Sequence, residues 1–406
     1  MPLYRCPKCG RTVKMPEGKY YCKVCGPDAL MVKVDGGRQV LSVRREDGAS
    51  FIPSPKEIEG VQNFINKLKG KIAKFYQENG IRVRIQDVGS TAKGTFVRGD
   101  FDIDIYVLTD QPDKAYELAK ILFPQGDRKY GELLIWHFIE NHFDVDLVFA
   151  QPGYVKEDTL KHPEFFKRTL TPEKKREVVK AKAFFKTKGL YGAEIGGITG
   201  VALEELTRRF GTFEKVCRYL AECKEKPFLQ DPVLKQPRDL LASITPKRWR
   251  QIQQACRNYL ATRTFTYRPF SEEDFRRRYR SYVILEFTRR KDQAVDFHTA
   301  QSVANRTARL LRNLEPEASF ESDVYVTDKK VLIALKAHPS KLSKTKKVCV
   351  HKKFKEAVEN FRRVHPQAFE ENNYVCAIVP RKFVEPLTAY AEQVKKRMKE
   401  RGYKEI

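Results

Sequence analysis

Residues Gly89 to Leu108 read GSTAKGTFVRGDFDIDIYVL, and the spacing of their acids decides the fold. From Phe101 the residues alternate apolar and acidic until the run turns wholly apolar. Side chains of a β-strand repeat every two residues, so Asp102 and Asp104 share one face, with Asp100 placed to join them. Like charges on one strand face repel each other. A second strand repeats the pattern: Phe143-Asp144-Val145-Asp146-Leu147-Val148 sets two carboxylates on one face and apolar residues on the other. If the two strands are sheet neighbours, three or four carboxylates converge, and multivalent cations make that favourable. Magnesium fits best, because it takes hard oxygen ligands and keeps positions open for substrate phosphates.

The start of the stretch supplies a partner for such ions. Gly89-Ser90 falls between a strand, IRVRIQDV, and a short helical turn. There a hydroxyl and backbone amides can face an anion, glycine lets the backbone come close, and Lys93 adds a positive charge. Ser90 lies twelve residues before Asp102, where a nucleoside triphosphate can bridge turn and metals.

Working outward, Ser54-Pro55-Lys56-Glu57 opens a helix with a cap residue, a proline at the first position and a glutamate three residues on. Ile58, Val61, Phe64, Ile65, Leu68 and Ile72 follow at helical spacing, and Asn79-Gly80 closes it. LLIWHF and FDVDLVFA add strands, giving a helix packed on a small sheet. The connector before Ser54 is polar, with a short strand expected at Val40 to Val43. Beyond Pro152 the pattern turns helical: Pro172 to Lys188 behind Thr171, Gly200 to Phe210, Thr212 to Ala221, and Pro246 to Tyr259. Val178, Ala181 and Phe185 form an inward stripe that also holds Lys182. A lysine there is costly unless its ammonium meets a phosphate or snorkels to solvent. From about Tyr267 strands return in SYVILEFT, DVYVTDKKVLIALKA and YVCAIVPRKF, with helices at Thr299 to Leu314, Lys353 to Arg363 and a basic final helix.

The 406 residues carry 78 Lys plus Arg against 52 Asp plus Glu, a formal charge of +26. Such a chain is self-repulsive without a polyanion, and nucleic acid is the expected partner ahead of anionic lipid. No run of 18 apolar residues occurs and the start lacks a signal-peptide core, so no membrane partner and a cytoplasmic location are expected. Cys6-Pro-Lys-Cys9-Gly and Cys22-Lys-Val-Cys25-Gly form C-x2-C-x12-C-x2-C, the spacing of a zinc ribbon. All four positions are filled, so this zinc is structural. Cys217, Cys223, Cys256, Cys349 and Cys376 are scattered and read as buried small hydrophobes.

Gly89-Ser90, Asp102-Ile103-Asp104 and Asp146 resemble the signature of the nucleotidyltransferase superfamily: a Gly-Ser turn, an acidic-x-Asp strand and a third carboxylate on a later strand. More closely, the chain resembles the archaeal-type (class I) CCA-adding enzymes. Thr159-Leu160-Lys161-His162 is similar to their T-x-x-H, and KAFFKTKGLYGAEIGGITGVALEEL from Lys182 to their lysine helix, tyrosine-glycine turn and glycine-rich loop. Asp231-Pro232-Val233 with Arg238 is similar to their base-reading stretch. The resemblance runs from about Ser54 to Lys382 and is densest up to Ser243. Departures are Lys93 in place of the frequent arginine, Ile198-Thr199-Gly200 in place of Phe-Ser-Gly, and one extra residue between Asp231 and Arg238.

The resemblance implies an α+β fold with a polymerase-beta-like nucleotidyltransferase head, a helical neck and an α/β body and tail, here with the ribbon added. The expected domains are a ribbon (1–35), a catalytic domain (36–158), a helical nucleotide-binding domain (159–265) and a basic tRNA-binding domain (266–406). It further implies template-independent addition of CCA to transfer RNA from CTP and ATP. Two magnesium ions would sit on Asp102, Asp104 and Asp146, while Gly89, Ser90, Lys93, His162, Lys182, Tyr191, Asp231 and Arg238 hold the nucleotide. RRRYR at Arg276 to Arg280, KLSKTKK at Lys341 to Lys347 and the last helix would grip RNA phosphates. A second copy of the chain, as a homodimer, is a further expected partner. The competing expectations are another terminal activity, such as poly(A) or oligoadenylate synthesis, and an idle RNA-binding module.

Overall fold

The computed structural model describes residues 3–6, 12–14, 16, 18–23, 26, 30–34, 50–129, 133–153, 157–290 and 293–406. Cys9, Cys25 and the strand expected at 40–43 lie outside the described residues. The chain divides into two compact units, Met1–Phe270 and Ser271–Ile406.

The first unit begins with three short antiparallel strands, β1 (Leu3–Arg5), β2 (Thr12–Lys14) and β3 (Val32–Val34), in the order β2-β1-β3. Helix α1 (Pro55–Glu78) then forms for the reasons its sequence gives. Ser54 accepts from the Glu57 amide while the Glu57 carboxylate accepts from the Ser54 amide at 2.8 Å, a closed capping box. Val61, Ile65, Leu68, Ile72 and Tyr76 recur on one side and are buried. They pack on Ile103, Ile105 and Val107 in the core of the sheet, and the Tyr76 hydroxyl is satisfied by the Ala115 carbonyl at 2.7 Å. Truncating one of the fully buried positions, such as Ile72→Ala, costs about 2–5 kcal/mol.

That sheet contains β4 (Arg84–Asp87), β5 (Ile103–Leu108), β6 (Asp127–Lys129), β7 (Leu134–Glu140) and β8 (Phe143–Ala150), in the order β4-β5-β8-β7-β6. A five-residue helix, α2 (Gly89–Lys93), precedes β5, and α3 (Pro112–Leu122) follows it. Neither α3 nor β6 is among the sequence expectations. β5 and β8 are parallel and the other pairs antiparallel. Asn141 and His142 turn β7 into β8 with φ of 50° and 68°, the left-handed pair that a two-residue hairpin needs.

Helices α4 (Glu157–Thr169), α5 (Pro172–Thr187), α6 (Gly200–Phe210), α7 (Phe213–Glu222) and α8 (Pro246–Thr262) complete the unit. One device starts the last four: Thr171, Thr199, Thr212 and Thr245 each accept from the amide three residues on. Each such cap contributes about 1 kcal/mol. Phe184, Phe185, Leu203, Leu206, Phe213, Leu241 and Trp249 form their common core.

The second unit contains α9 (Glu272–Arg278), β9 (Val283–Thr288), α10 (Gln293–Leu314), β10 (Ser319–Val326), β11 (Lys330–His338), β12 (Thr345–His351), α11 (Lys355–Val364), β13 (Phe369–Glu371), β14 (Tyr374–Pro380) and α12 (Pro386–Glu400). Its strands form two sheets, β10-β11-β9 and β12-β14-β13. Two expectations change here. Cys349 and Cys376 face each other across β12 and β14 and form a disulfide, not two separate buried thiols. Spacing could not show this, because it depends on strand register. The basic runs are also not uniformly free. Arg276 pairs with Glu272 and Glu286, Lys346 with Glu315, and Lys347 with Glu371. The Arg276 and Lys347 pairs are partly exposed and contribute only ~0–1 kcal/mol, whereas Lys346 is tied to a fully buried Glu315 that Arg381 also holds.

Candidate active site

The register of β5 and β8 places Asp104 directly beside Asp146. One carboxylate oxygen from each of Asp102, Asp104 and Asp146 lies within 4.8 Å of the other two. Asp102 is exposed at the mouth, Asp104 half-buried and Asp146 buried. Burial first, and then the charges of Asp102 and Asp146, push the Asp104 carboxyl up to about 7 against the opposing pull of Lys129 and Lys93. Three hard oxygen donors so close together fit a divalent cation, which would favour the ionised form of Asp104.

Gly89 shows how tightly the turn is fitted to this cluster. Its φ is +70°, and a Cβ placed there would stand 2.2 Å from Asp104 Oδ2. Only glycine meets both demands. The Val88 amide donates to the Asp104 carbonyl at 2.9 Å, stitching turn to strand.

Two neighbours of the triad escaped the sequence reading. Lys129 Nζ lies 2.5 Å from Asp146 Oδ2, and His137 Nδ1 lies 2.9 Å from Asp146 Oδ1. Burial lowers the Lys129 pKa, but its hydrogen bond to Asp146 and the charges of the triad outweigh this and raise it. His137 was findable once register was known, since it faces Asp146 across β7 and β8. Asp100 does not join the cluster. Lys186 Nζ holds its Oδ1 at 2.7 Å and the Tyr267 hydroxyl donates to its Oδ2.

The helical side of the site is organised by Glu204, which the sequence reading also missed. Lys93 Nζ reaches its Oε2 at 2.6 Å, and Lys182 Nζ and the Thr95 hydroxyl reach its Oε1, each at 2.7 Å. All four residues are buried. Burial raises the Glu204 pKa, yet the ammonium groups of Lys182 and Lys93 more than reverse this and hold it at about 2. The signal was the stripe itself: a lysine on the inward face of α5 called for a buried acid. Tyr191 stands beside this group, and Gly200 leaves the space, since a Cβ there would meet the Tyr191 hydroxyl at 2.8 Å and Lys182 Cε at 3.3 Å.

Two separately expected motifs meet as well. His162 Nε2 lies 3.0 Å from Asp231 Oδ1, and Arg238 Nη1 lies 3.5 Å from Asp231 Oδ2. Burial lowers the His162 pKa although Asp231 opposes it. Gly89, Lys93, Asp104, Asp146, His162 and Arg238 all line one cleft of ≈ 840 Å³. Ser90, Asp102, Lys182, Tyr191 and Asp231 are not among its lining residues. Asp102 belongs through the triad, Lys182 through Glu204 and Asp231 through His162, while Ser90 and Tyr191 sit beside Gly89 and Lys182.

Residues 66–183 match the family model described as a nucleotidyltransferase domain, which covers the sheet, the triad and Lys182, so the chain carries a nucleotidyltransferase domain. Over about half its length it is similar to archaeal CCA-adding enzymes. It is 28% identical to that of Thermoplasma acidophilum over 217 residues, covering 49% of this chain and 50% of the relative. It is 30% identical to that of Pyrobaculum aerophilum over 184 residues, covering 41% and 44%. The chain thus spans about half the length of these curated relatives. Among solved structures, a cytoplasmic RNA terminal U-transferase aligns with a TM-score of 0.41 at 12% identity, over 52% of this chain and 89% of that one. Among the described residues no helix is long and apolar enough to cross a membrane.

Proposed function

We infer that this chain adds nucleotides from CTP and ATP to the 3′ end of RNA, and that its product is the CCA end of transfer RNA. The observation that carries this reading is the convergence of Asp102, Asp104 and Asp146 beside a cleft that also gathers Gly89, Lys93, His162 and Arg238. Similarity to archaeal CCA-adding enzymes supports the choice of product. Bound magnesium, as two ions on the three carboxylates, would lower the pKa of the attacking 3′-hydroxyl and neutralise the departing pyrophosphate.

The remaining work belongs to the chain. Gly89 keeps the backbone clear of Asp104, so the Ser90 hydroxyl and Lys93 can approach the triphosphate. Lys182 on α5 and Tyr191 just beyond that helix orient sugar and phosphates, where a misplacement of ~1 Å can cost about a hundredfold in rate. His162 fixes Asp231, and Asp231 and Arg238 together offer hydrogen-bonding edges to a base. Lys129 on β6 and His137 on β7 hold Asp146 in place from its side.

The other domains follow the same reading. Residues 1–35 form a ribbon in which Cys6, Cys9, Cys22 and Cys25 hold a structural zinc, ahead of catalytic (36–158) and helical (159–265) domains. Residues 266–406 bind the transfer-RNA backbone by shape and charge, so affinity falls steeply with salt. The test is incubation with magnesium, labelled CTP or ATP, and transfer RNA trimmed at its 3′ end. Growth that stops after three nucleotides supports the reading, whereas an extending adenylate tail or a product unaffected by Asp104→Ala overturns it.

A further inference from the structure

A second cavity, of ≈ 600 Å³, is walled by α1, α2, α4 and α5 and shares only Lys93 with the catalytic cleft. Its size suits a small ligand. The body is aliphatic, formed by Ile52, Pro53, Pro55, Ile58, Ala92 and Val179. Lys167 and Arg176, both exposed, and half-buried Lys175 also line it; among the described residues none of them makes an ion pair within 4.0 Å, although the Lys167 charge reaches Asp87 and that of Arg176 reaches Glu173. The one carboxylate of the lining, Glu59, is exposed. Burial and then the neighbouring Lys167 charge lower the pKa of Lys175, so an anion here would relieve a repulsion. Thr91 on the same wall is buried, and its hydroxyl has no hydrogen-bond partner, which is uncommon for a buried polar group.

These features select among occupants. A single carboxylate does not make a cation site. Single-stranded RNA is held by aromatic platforms on which bases stack, and among the described residues no aromatic side chain lines this cavity. Aliphatic walls with three cations against one exposed carboxylate match an anion that carries its own apolar body.

We propose that this cavity binds a small amphiphilic anion, its aliphatic chain against Ile58, Ala92 and Val179 and its carboxylate or phosphate head on Lys167, Lys175 and Arg176. Because α2 also carries Ser90 and Lys93, occupancy reaches the back of the phosphate-binding turn. That consequence rests on the proposed function, but the binding does not.

Calorimetric titration of the full chain with decanoate, decyl phosphate and uncharged decanol tests it without any nucleotide turnover. Saturable one-to-one binding of at least one anion is expected, with decanol weaker by about tenfold or more, the loss of roughly one charge contact. The stronger of the two anions identifies the head group. Gln62→Trp, which fills the cavity from α1, should abolish binding, and Lys175→Ala should weaken it about tenfold, with melting close to that of the unaltered chain. If Gln62→Trp does not fold, Lys175→Ala decides alone. The proposal is overturned if neither anion saturates, if decanol binds equally well, if Lys175→Ala binds undiminished, or if a short single-stranded RNA displaces the anion competitively.

Discussion

Glu204→Gln is the sharpest perturbation of the site, because it removes one charge and almost no volume. Two ammonium groups, Lys93 and Lys182, are then left buried with no compensating anion at 2.6 and 2.7 Å. Removing one partner of a buried ion pair costs about 3–5 kcal/mol. Lys182 has a partial escape: burial, against the pull of Glu204, already lowers its pKa to about 8, so without Glu204 it can shed its proton near neutral pH. Lys93 still loses its buried partner, and the variant should lose ~3 kcal/mol, the low end of that range. For a unit of this size that is a fall in melting temperature of roughly 10 °C. The pH dependence gives an independent check. The folded pKa of Glu204, about 2, lies below its ordinary value of 4.5, so its stabilisation is fully present above 4.5 and fades as pH falls toward 2. The gap between the two proteins, followed by calorimetry, should therefore be wide at pH 7 and narrow steadily below 4.5. Nucleotide KM should rise more steeply with pH in Glu204→Gln, whose Lys182 loses its proton earlier, and Glu204→Asp should recover part of both effects. A Glu204→Gln protein melting within about 2 °C of the unaltered chain at pH 7 would refute this account, since that is below the shift expected from 1 kcal/mol.

Gly89→Ala should abolish nucleotide transfer in a primer-extension assay and cost about 1–3 kcal/mol of backbone strain, because its Cβ invades Asp104 Oδ2 at a left-handed φ. Asp104→Asn should also cut transfer steeply, to a slow but measurable rate, yet raise the melting temperature measured without magnesium. Asp104 binds its proton up to about 7 in the fold against 3.8 ordinarily, so the metal-free protein loses stability as pH rises from about 4 to 7, and added magnesium should restore it. His137→Ala should weaken transfer mainly through magnesium, by about 10–100-fold in apparent metal affinity read by titration. Transfer-RNA affinity should fall linearly on a log–log plot against salt, and charge reversal at Lys341 and Lys344 should lower the slope.

The parts of the fold that were legible rest on local chemistry. Ser54 to Asn79 announces its helix at both ends, the threonine caps mark α5 to α8, and period-two alternation gives β5 and β8 along with two of the three triad members on one face. Pairing across strands was not legible. Nothing in the chain says that Cys349 stands opposite Cys376, that His137 faces Asp146, or that Asp100 turns away to Lys186 and Tyr267. Each of these depends on register or on packing between distant segments. Glu204 is an intermediate case. Its need could be deduced from Lys182 on an apolar stripe, but two adjacent glutamates in GVALEEL left the choice open, and both are buried. Glu204 takes the lysines while Glu205 takes Arg208 and Arg209.

The arrangement of charge explains why a chain of net +26 concentrates acids at this one place. A basic surface attracts RNA along its whole length but cannot say where reaction occurs. On one side of the cleft the triad forms a local sink of negative charge that multivalent cations fill well, and under the proposed function these would carry the triphosphate with them. The helical side inverts the sign, with Lys93 at the cleft and Lys182 behind it both tied to one buried glutamate, so it is net positive yet rigid. A triphosphate bridging the two walls would neutralise both at once. Removing either wall should therefore cost more than its own contacts: the loss in the double variant Asp104→Asn/Glu204→Gln should be smaller than the product of the two single losses in kcat/KM. Strict multiplicativity would mean that the walls act independently.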